Sequence, residues 1–212
     1  ALTQEVAYNS LLQKRRTKLH QKIGKALEII YADRLDELCE ILAYHFLQGE
    51  DWQRAYRYSQ EAGLKAYSHS AYEQAQRYFE EALTAINKLP REKIWIEREI
   101  DLRFHMRSPL VALGRHEKWG EWIRGAEPLA QEIDDNARLS NVLNYLSSLH
   151  WIHGQHRNAI ELGEKALNFA ERSGHFSYQI ATMCHLGIFF FNIGDYPKQI
   201  EIHQKVRIRL QV

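Results

Sequence analysis

An internal repeat of about 40 residues is the feature that most restricts what this chain can fold into. Three segments, ALGRHEKWGEWIRGAEPLAQEIDD, IHGQHRNAIELGEKALNFAERSG and NIGDYPKQIEIHQKVRIRL, align when Gly114, Gly154 and Gly194 share one column. The three glycines are evenly spaced along the sequence. A fixed period of this length is typical of proteins that stack copies of one small unit, each of which buries its apolar face against the next.

The aligned columns identify this unit as two helices joined by a turn. Apolar residues recur with a period near 3.6, and each aligned glycine comes where a helix stops and a positive φ is favoured. Two columns of the second helix hold small side chains in most repeats, as expected where helices approach closely: Ala126, Ala166 and Val206, and Ala130, Ala170 and Leu210. Pro109 and Pro128 fall inside periodic stretches, so we expect them to kink or tighten their helices.

The upstream part of the chain repeats a related pattern at a shorter spacing. Trp52 and Ala55 follow a turn at Gly49, and Tyr72 and Ala75 repeat the same aromatic–x–x–Ala motif one helix later. Residues 52–68 are therefore predicted to form one helix that two hairpins share. We predict an all-α fold, a right-handed α-solenoid of antiparallel helix hairpins.

Three histidines, His150, His153 and His156, lie close together in the sequence and raise the question of a metal site. The same three columns hold mostly apolar or aromatic side chains in the sister repeats, and the nearby sequence adds neither a cysteine nor a carboxylate to complete a ligand set. A zinc site needs three or four converging ligands. We therefore interpret the three histidines as packing residues and predict no bound metal.

The sequence offers no catalytic motif and no cofactor site. It contains no GxxxxGK[ST], GxGxxG, nucleophile elbow or CxxC pattern. Cys184 and His185 are adjacent, but neighbouring side chains on a helix point about 100° apart, which is unsuited to a nucleophile and its base. Cys39 and Cys184 both lie in apolar, helical surroundings, so we predict two buried free thiols in a reducing cytoplasm. The chain is predicted to be non-catalytic and to need no cofactor.

Charge gives little reason to expect a nucleic acid or a membrane as partner. Lys and Arg total 28 against 27 for Asp and Glu. The basic stretch KRRTKLHQK, residues 14–22, could contact phosphates. A solvated face or a contact with a neighbouring domain is the favoured interpretation, because Asp33, Asp36 and Glu37 follow closely and offer local partners. No long uncharged apolar run predicts a membrane span, so we expect a cytoplasmic location.

The pattern of a glycine, an aromatic residue two or three positions later and an alanine three positions after that resembles the tetratricopeptide repeat (TPR). Its basic unit repeats about every 34 residues, and this chain resembles a variant with longer helices over residues 35–212. The resemblance implies a TPR-like superhelix. It is specific for the fold rather than for a function, because such repeats bind many kinds of partner.

The N-terminal stretch, ALTQEVAYNSLLQKRRTKLHQKIGKALEIIY, is similar to the segment that follows the ATPase and winged-helix regions of bacterial STAND signalling ATPases. Many of those proteins also carry a class III adenylate or guanylate cyclase domain. The resemblance implies that residues 1–34 are connecting helices and that residues 35–212 are a regulatory repeat arm of a larger signalling protein. It leaves open whether that arm binds a protein or peptide, including the parent's own ATPase domain, or senses a small molecule in its groove.

In TPR-like hairpins the first helix of each pair lines the concave groove. Counting back from the turn glycines gives ten candidate groove residues. They are Asp101, His105 and Ser108 from one helix, Asn141, Asn144, Ser148 and Trp151 from the next, and His185, Ile188 and Phe191 from the last. The middle set is mostly polar, which suits the hydrogen bonding of a peptide backbone, although a merely solvated face would look the same.

The end of the chain carries an apolar face of its own. The sequence begins at Ala1 rather than at Met and stops inside a periodic segment, so we expect it to be a piece of a longer protein. Ile200, Ile202, Val206 and Leu210 would then normally pack under a following repeat. Because the ends of solenoids need a polar cap, we expect self-association through this end.

Overall fold

The structure is a computed structural model that describes residues 13–211, which form α-helices and no strand. The chain divides after Gly114 into two compact units. The first unit contains α1 (Gln13–Ile30), α2 (Cys39–Gln48), α3 (Trp52–Ser68), α4 (Tyr72–Ile86), α5 (Lys93–His105) and α6 (Arg107–Ala112). The second contains α7 (His116–Arg124), α8 (Glu127–Glu132), α9 (Asn136–Ile152), α10 (His156–Ser173), α11 (Phe176–Asn192) and α12 (Tyr196–Leu210). The all-α prediction is confirmed.

The turn glycines adopt the predicted left-handed conformation. Gly114, Gly154 and Gly194 have φ values of 69°, 73° and 81°. A Cβ atom built on any of them would meet no atom within 4 Å, so backbone conformation rather than crowding favours glycine there. At the Gly49 turn the structure differs, because Glu50 has the positive φ, at 55°. Gly49 is needed for space instead, since its Cβ would lie 2.9 Å from Cγ of Gln21.

Packing in the first unit confirms the predicted role of residues 52–68. Helix α3 packs against both α2 and α4, as a helix shared by two hairpins should. On one side the ring of Tyr58 stacks on Phe46 with centroids 5.6 Å apart. On the other side Gly63 lets α4 approach closely, because a Cβ there would lie 2.5 Å from the ring of Phe79. The predicted boundary at residues 34 and 35 remains a prediction, since residues 1–12 lie outside the described part.

Two prolines divide helices that are continuous in the sister repeats. Helix α5 ends at His105 and α6 begins at Arg107, while Pro109 lacks the N–H that would bond back to the carbonyl of His105. Pro128 lies in the first turn of α8, just after α7 has ended at Arg124. The corresponding helices α9 and α10 run unbroken for 17 and 18 residues. The expectation that these prolines disturb their helices is confirmed.

Small residues and serines bring α9 and α10 together in the second unit. The hydroxyl of Ser140 donates to the carbonyl of Ala166 at 2.7 Å, and that of Ser147 donates to the carbonyl of Ala159 at 2.6 Å. Both alanines are fully buried. Helix α11 then packs on this hairpin and α12 packs on α11, around a core cluster of Ala159, Met183, Leu186, Phe189, Phe190 and Ile202.

The apolar face predicted near the end of the chain is only partly exposed. Ile202 is 8% exposed and belongs to the core cluster of its own unit, which Val206 contacts as a half-buried neighbour. Ile200 and Leu210 are exposed, at 55% and 61%. The expectation that all four residues await a further repeat is therefore wrong for Ile202, because Phe189 and Phe190 of the preceding helix already cover it. Self-association itself remains a prediction.

Candidate functional site

The first helices of the two full hairpins in the second unit, α9 and α11, are joined by a polar seam. A hydrogen bond of 2.9 Å connects Nδ1 of His185 on α11 to Oδ1 of Asn144 on α9. Because an amide oxygen only accepts, this contact places a proton on Nδ1 of the imidazole. The hydroxyl of Ser148 donates to the carbonyl of Asn144 at 3.1 Å and lies 3.5 Å from the same imidazole nitrogen.

This seam corrects the interpretation of the two asparagines. Asn141 and Asn144 are 7% and 2% exposed, so they are neither a solvated face nor amides held open for a peptide backbone. The side-chain oxygen of Asn144 is already bound to the neighbouring helix. Buried polar groups are usually paired in this way. Asn144 therefore connects α9 to α11, and direct contact between either asparagine and a partner is not supported by their burial.

The remaining five candidates of the second unit lie around the seam with increasing exposure. Ser148, Trp151 and His185 are half-buried. Trp151 stacks on Phe189 of α11 with ring centroids 4.4 Å apart and an interplanar angle of 9°. Ile188 and Phe191, further along α11, are 52% and 54% exposed. The accessible part of the predicted groove is therefore more apolar and aromatic than the sequence suggested.

The other three candidates belong to the first unit. Asp101 and His105 lie on α5, whereas Ser108 lies on α6 beyond the break at Met106, so the single helix expected to carry all three is interrupted. The ring of His105 stacks on Phe79 with centroids 6.1 Å apart. Burial lowers the pKa of His105, and the carboxylate of Asp101 partly opposes this effect. The structure thus brings seven of the ten candidates together around α9 and α11.

The three histidines lie in different surroundings. The ring of His156 lies against Trp151 with centroids 4.2 Å apart, and His150 is hydrogen-bonded through Nδ1 to Gln155. His153 is exposed, and its Nε2 lies 3.0 Å from a carboxylate oxygen of Glu117. The packing interpretation is therefore wrong for His153, beside which a carboxylate does lie, whereas His150 is half-buried. Within residues 13–211, no three histidine, cysteine, aspartate or glutamate side chains are grouped as a metal site would require.

The two cysteines differ from each other, contrary to the prediction. Cys39 is buried, and burial together with its hydrogen bond to Glu40 raises the pKa of its thiol to about 11. Cys184 is exposed, so the prediction of two buried thiols is wrong for this residue. On α11, position 184 falls outside the inward stripe that contains Met183 and Leu186.

The basic stretch forms an exposed face of α1. Lys14, Arg15, Lys18 and Lys22 are all exposed. Of the acidic residues that were expected to neutralise them, Glu37 pairs with Arg34 instead, with a 2.5 Å nitrogen–oxygen distance.

A sizeable cleft lies in the first unit, and none of the predicted groove residues lines it. It has a volume of about 730 Å³ and is lined by the turn before α2 and one side of α3. Lys65 crosses this region and donates to the carbonyl oxygens of Asp36 and Glu37 at 3.1 and 3.3 Å. Leu35, Leu64 and His69 also line the cleft, so its lining is mixed apolar and polar.

No helix among residues 13–211 is long and apolar enough to cross a membrane.

Comparison with solved structures identifies the fold. The apo form of RapI is similar over 98% of this chain and 57% of its own, with a TM-score of 0.71 and 13% identity. The STAND protein PH0952 from Pyrococcus horikoshii, described as having a tetratricopeptide repeat sensor, is similar over 96% of this chain and 32% of its own (TM-score 0.69, 14% identity). The fold is TPR-like.

A third similar structure consists of TPR-like repeats assigned to a kinesin light chain of Podospora anserina. It covers 92% of this chain and 93% of its own, with a TM-score of 0.63 and 14% identity. No family model and no curated protein sequence matches the chain. The chain spans little more than half the length of RapI and about a third of PH0952. These similarities establish a TPR-like repeat fold for the chain.

Proposed function

We propose that the chain is a non-catalytic binding module that regulates a larger cytoplasmic signalling protein by contacting a protein or peptide. The observation that carries this proposal is the α9–α11 surface. It combines half-buried Ser148 and His185 with the exposed side chains of Ile188 and Phe191 on a TPR-like scaffold. A rigid polar seam next to exposed apolar side chains resembles the mixture found where proteins recognise partners.

The setting within a STAND-type protein is the second part of the proposal. It is supported by the resemblance of residues 1–31 to the segment after STAND ATPase regions and by the structural similarity to PH0952. In this setting residues 1–34 would connect to the ATPase region, residues 35–212 would form the repeat arm, and the exposed basic face of α1 is the part available to the neighbouring domain. The comparisons give no support to an attached nucleotide cyclase, and the proposal does not include one.

The test is a selection of peptides against the purified chain, followed by mapping. We expect selected peptides to bind saturably and to lose affinity about tenfold or more in Ser148→Arg, because the new side chain would cover the seam. Asn168→Arg is the matched control, since Asn168 is an exposed residue of α10 away from the seam. Peptides that bind both variants as well as the unmodified chain would disprove the proposed site, and nucleotide hydrolysis that follows the protein through purification would disprove the non-catalytic assignment.

A ligand-sensing role is the second candidate, favoured by the 730 Å³ cleft in the first unit. Its size lies in the range of small-molecule sites. A thermal-shift screen of metabolites should then find compounds that stabilise the chain and that lose this effect in Leu64→Arg, which would fill the cleft. The same variant should leave peptide binding at the α9–α11 surface unchanged, so the two functions can be separated.

A further inference from the structure

The exposed side chains at the end of α11 continue onto α12 as one apolar patch. Phe191 lies against Tyr196 with ring centroids 6.0 Å apart. Ile188 lies one turn before Phe191 on α11, and Ile200 lies one turn after Tyr196 on α12. These four side chains are between 52% and 55% exposed. Large side chains that are exposed in a contiguous group indicate an interaction surface.

The internal repeat allows this patch to be compared with the equivalent surface of the preceding hairpin. Phe191 occupies the column of Trp151, and Ile200 occupies the column of Ile160. In the α9–α10 hairpin both of these side chains are half-buried, because α11 packs over them. In the α11–α12 hairpin side chains of the same type are more than half exposed. The same face is thus covered in one hairpin and open in the next.

The α9–α10 hairpin also shows which kind of side chains pack on this face, and therefore which kind would fit the α11–α12 hairpin. What covers Trp151 is an α-helix that stacks an aromatic ring, Phe189, on the indole. The same helix places Met183 and Leu186, at helical spacing, in the core cluster that Ile160 contacts. Aromatic pairs of this kind contribute about 0.5–1.5 kcal/mol beyond the area that they bury.

We infer that the α11–α12 patch binds an amphipathic α-helix of a partner protein, with an aromatic side chain stacked on Phe191 and an aliphatic one over Ile200. This inference rests on the proposed function and deepens it, because it names the class of partner and its conformation. It competes with the self-association expected from the sequence, which would place a second copy on the same patch. Helices that are laid into apolar grooves bind through side chains spaced as i, i+3, i+4 and i+7. Met183, Leu186 and Phe190 of α11, all members of the core cluster, have the spacing i, i+3 and i+7.

The experiment uses a peptide that already has the required stripe. Its sequence is that of residues 176–192, flanked by lysines for solubility and labelled with a fluorophore, and it is titrated against the whole chain by fluorescence anisotropy. We expect saturable one-to-one binding that becomes about tenfold weaker or more in Phe191→Asp and in Ile200→Asp. Substituting alanine for the peptide's copy of Phe189 should weaken binding similarly. Ile29→Asp, on a 78% exposed isoleucine of α1, should bind normally.

Three outcomes would overturn the inference. In the first, the peptide does not bind. In the second, it binds Phe191→Asp as tightly as the unmodified chain. In the third, sedimentation shows a dimer that Phe191→Asp dissociates, so that a second copy occupies the patch. Circular dichroism must show that the variants remain folded, and Ile200→Asp gives an independent test if Phe191→Asp does not fold. If the selected peptides of the previous section bind and depend on Ser148 while this helix does not bind, only the present inference fails.

Discussion

Tyr58 donates a hydrogen bond of 2.6 Å to the carboxylate of Glu28, connecting the middle of α3 to the end of α1. The same carboxylate lies 3.0 Å from Nε of Arg54 and 3.4 Å from a terminal nitrogen of Arg57. Only 17% of the Glu28 side chain is exposed. Burial and this hydrogen bond raise the pKa of Tyr58, which keeps its hydroxyl protonated as the donor. Glu28 is thus the acceptor on which three side chains of α3 converge.

Replacing Glu28 by alanine is therefore expected to destabilise the first unit by about 1.5–3 kcal/mol, the range for hydrogen bonds to charged groups. Tyr58→Phe removes one of the bonds and leaves the arginines in place, so it should cost about 1 kcal/mol. Urea unfolding measures the loss of stability in both variants. An equal and negligible change in the two variants would show that the cluster is solvent-screened and contributes nothing.

The Asn144–His185 bond should behave as a structural contact between α9 and α11. We expect Asn144→Ala to lower the free energy of unfolding by about 1–3 kcal/mol, because it leaves the imidazole donor of His185 without its acceptor. A double-mutant cycle with His185→Ala should give a coupling energy of about 0.5 kcal/mol or more. Ser148→Ala is the control, since its hydroxyl bonds within its own helix. A cycle with no coupling would contradict this interpretation of the seam.

The burial of Asn144 shows where prediction from the sequence stops. The regular spacing of the repeat correctly predicts helices and turns at Gly114, Gly154 and Gly194, because helical periodicity and left-handed turns are local properties. A polar stripe on one helix has the same spacing whether it faces solvent or the next helix. Only the position of α11 decides between these, and that position depends on packing between residues far apart in sequence.

Two further features were not predicted, for different reasons. Asp51, Asp135 and Asp195 cap α3, α9 and α12 by accepting from backbone N–H groups three residues later, at 3.4, 2.8 and 3.2 Å. These aspartates precede each helix at the position where caps are favoured, so the signal was present in the sequence. By contrast, nothing local distinguishes exposed Cys184 from buried Cys39, since both lie in apolar stretches.

Substitutions at two turns, one in each unit, should change the free energy of unfolding in opposite directions. Gly154→Ala places a Cβ on a residue with a φ of 73° and is expected to cost about 1 kcal/mol. Glu50→Gly relieves a non-glycine residue with a φ of 55° and should stabilise the chain by up to about 1 kcal/mol, reduced by the greater entropy of glycine in the unfolded state. Glu50→Ala keeps the Cβ and is the control. Changes of the same sign in Gly154→Ala and Glu50→Gly would contradict the conformational explanation.

A histidine pair, of which His20 is buried and His45 half-buried, should make the stability of the first unit depend on pH. Nδ1 of His20 on α1 lies 2.9 Å from Nδ1 of His45 on α2, so one ring must donate a proton to a lone pair of the other. Burial lowers the pKa of both rings below 6.5, with the charge of Arg16 adding to the effect on His20 and His20 itself adding to that on His45. Tyr44, whose ring also contacts both, completes the aromatic surroundings.

The sign of the effect follows from proton counting. As the pH falls through 6.5, the two histidines take up protons more readily in the unfolded chain than in the folded one, because their pKa values are lowered on folding. The unfolded state then binds more protons, so stability rises with pH and falls as the solution is acidified through this region. Urea unfolding at about pH 7.5 and about pH 5.5 should show this loss, and His45→Gln should reduce it. His69→Gln, at an exposed histidine of the same unit, should not. A pH dependence that is the same in all three proteins would assign it to other groups, among them His105, whose pKa burial also lowers.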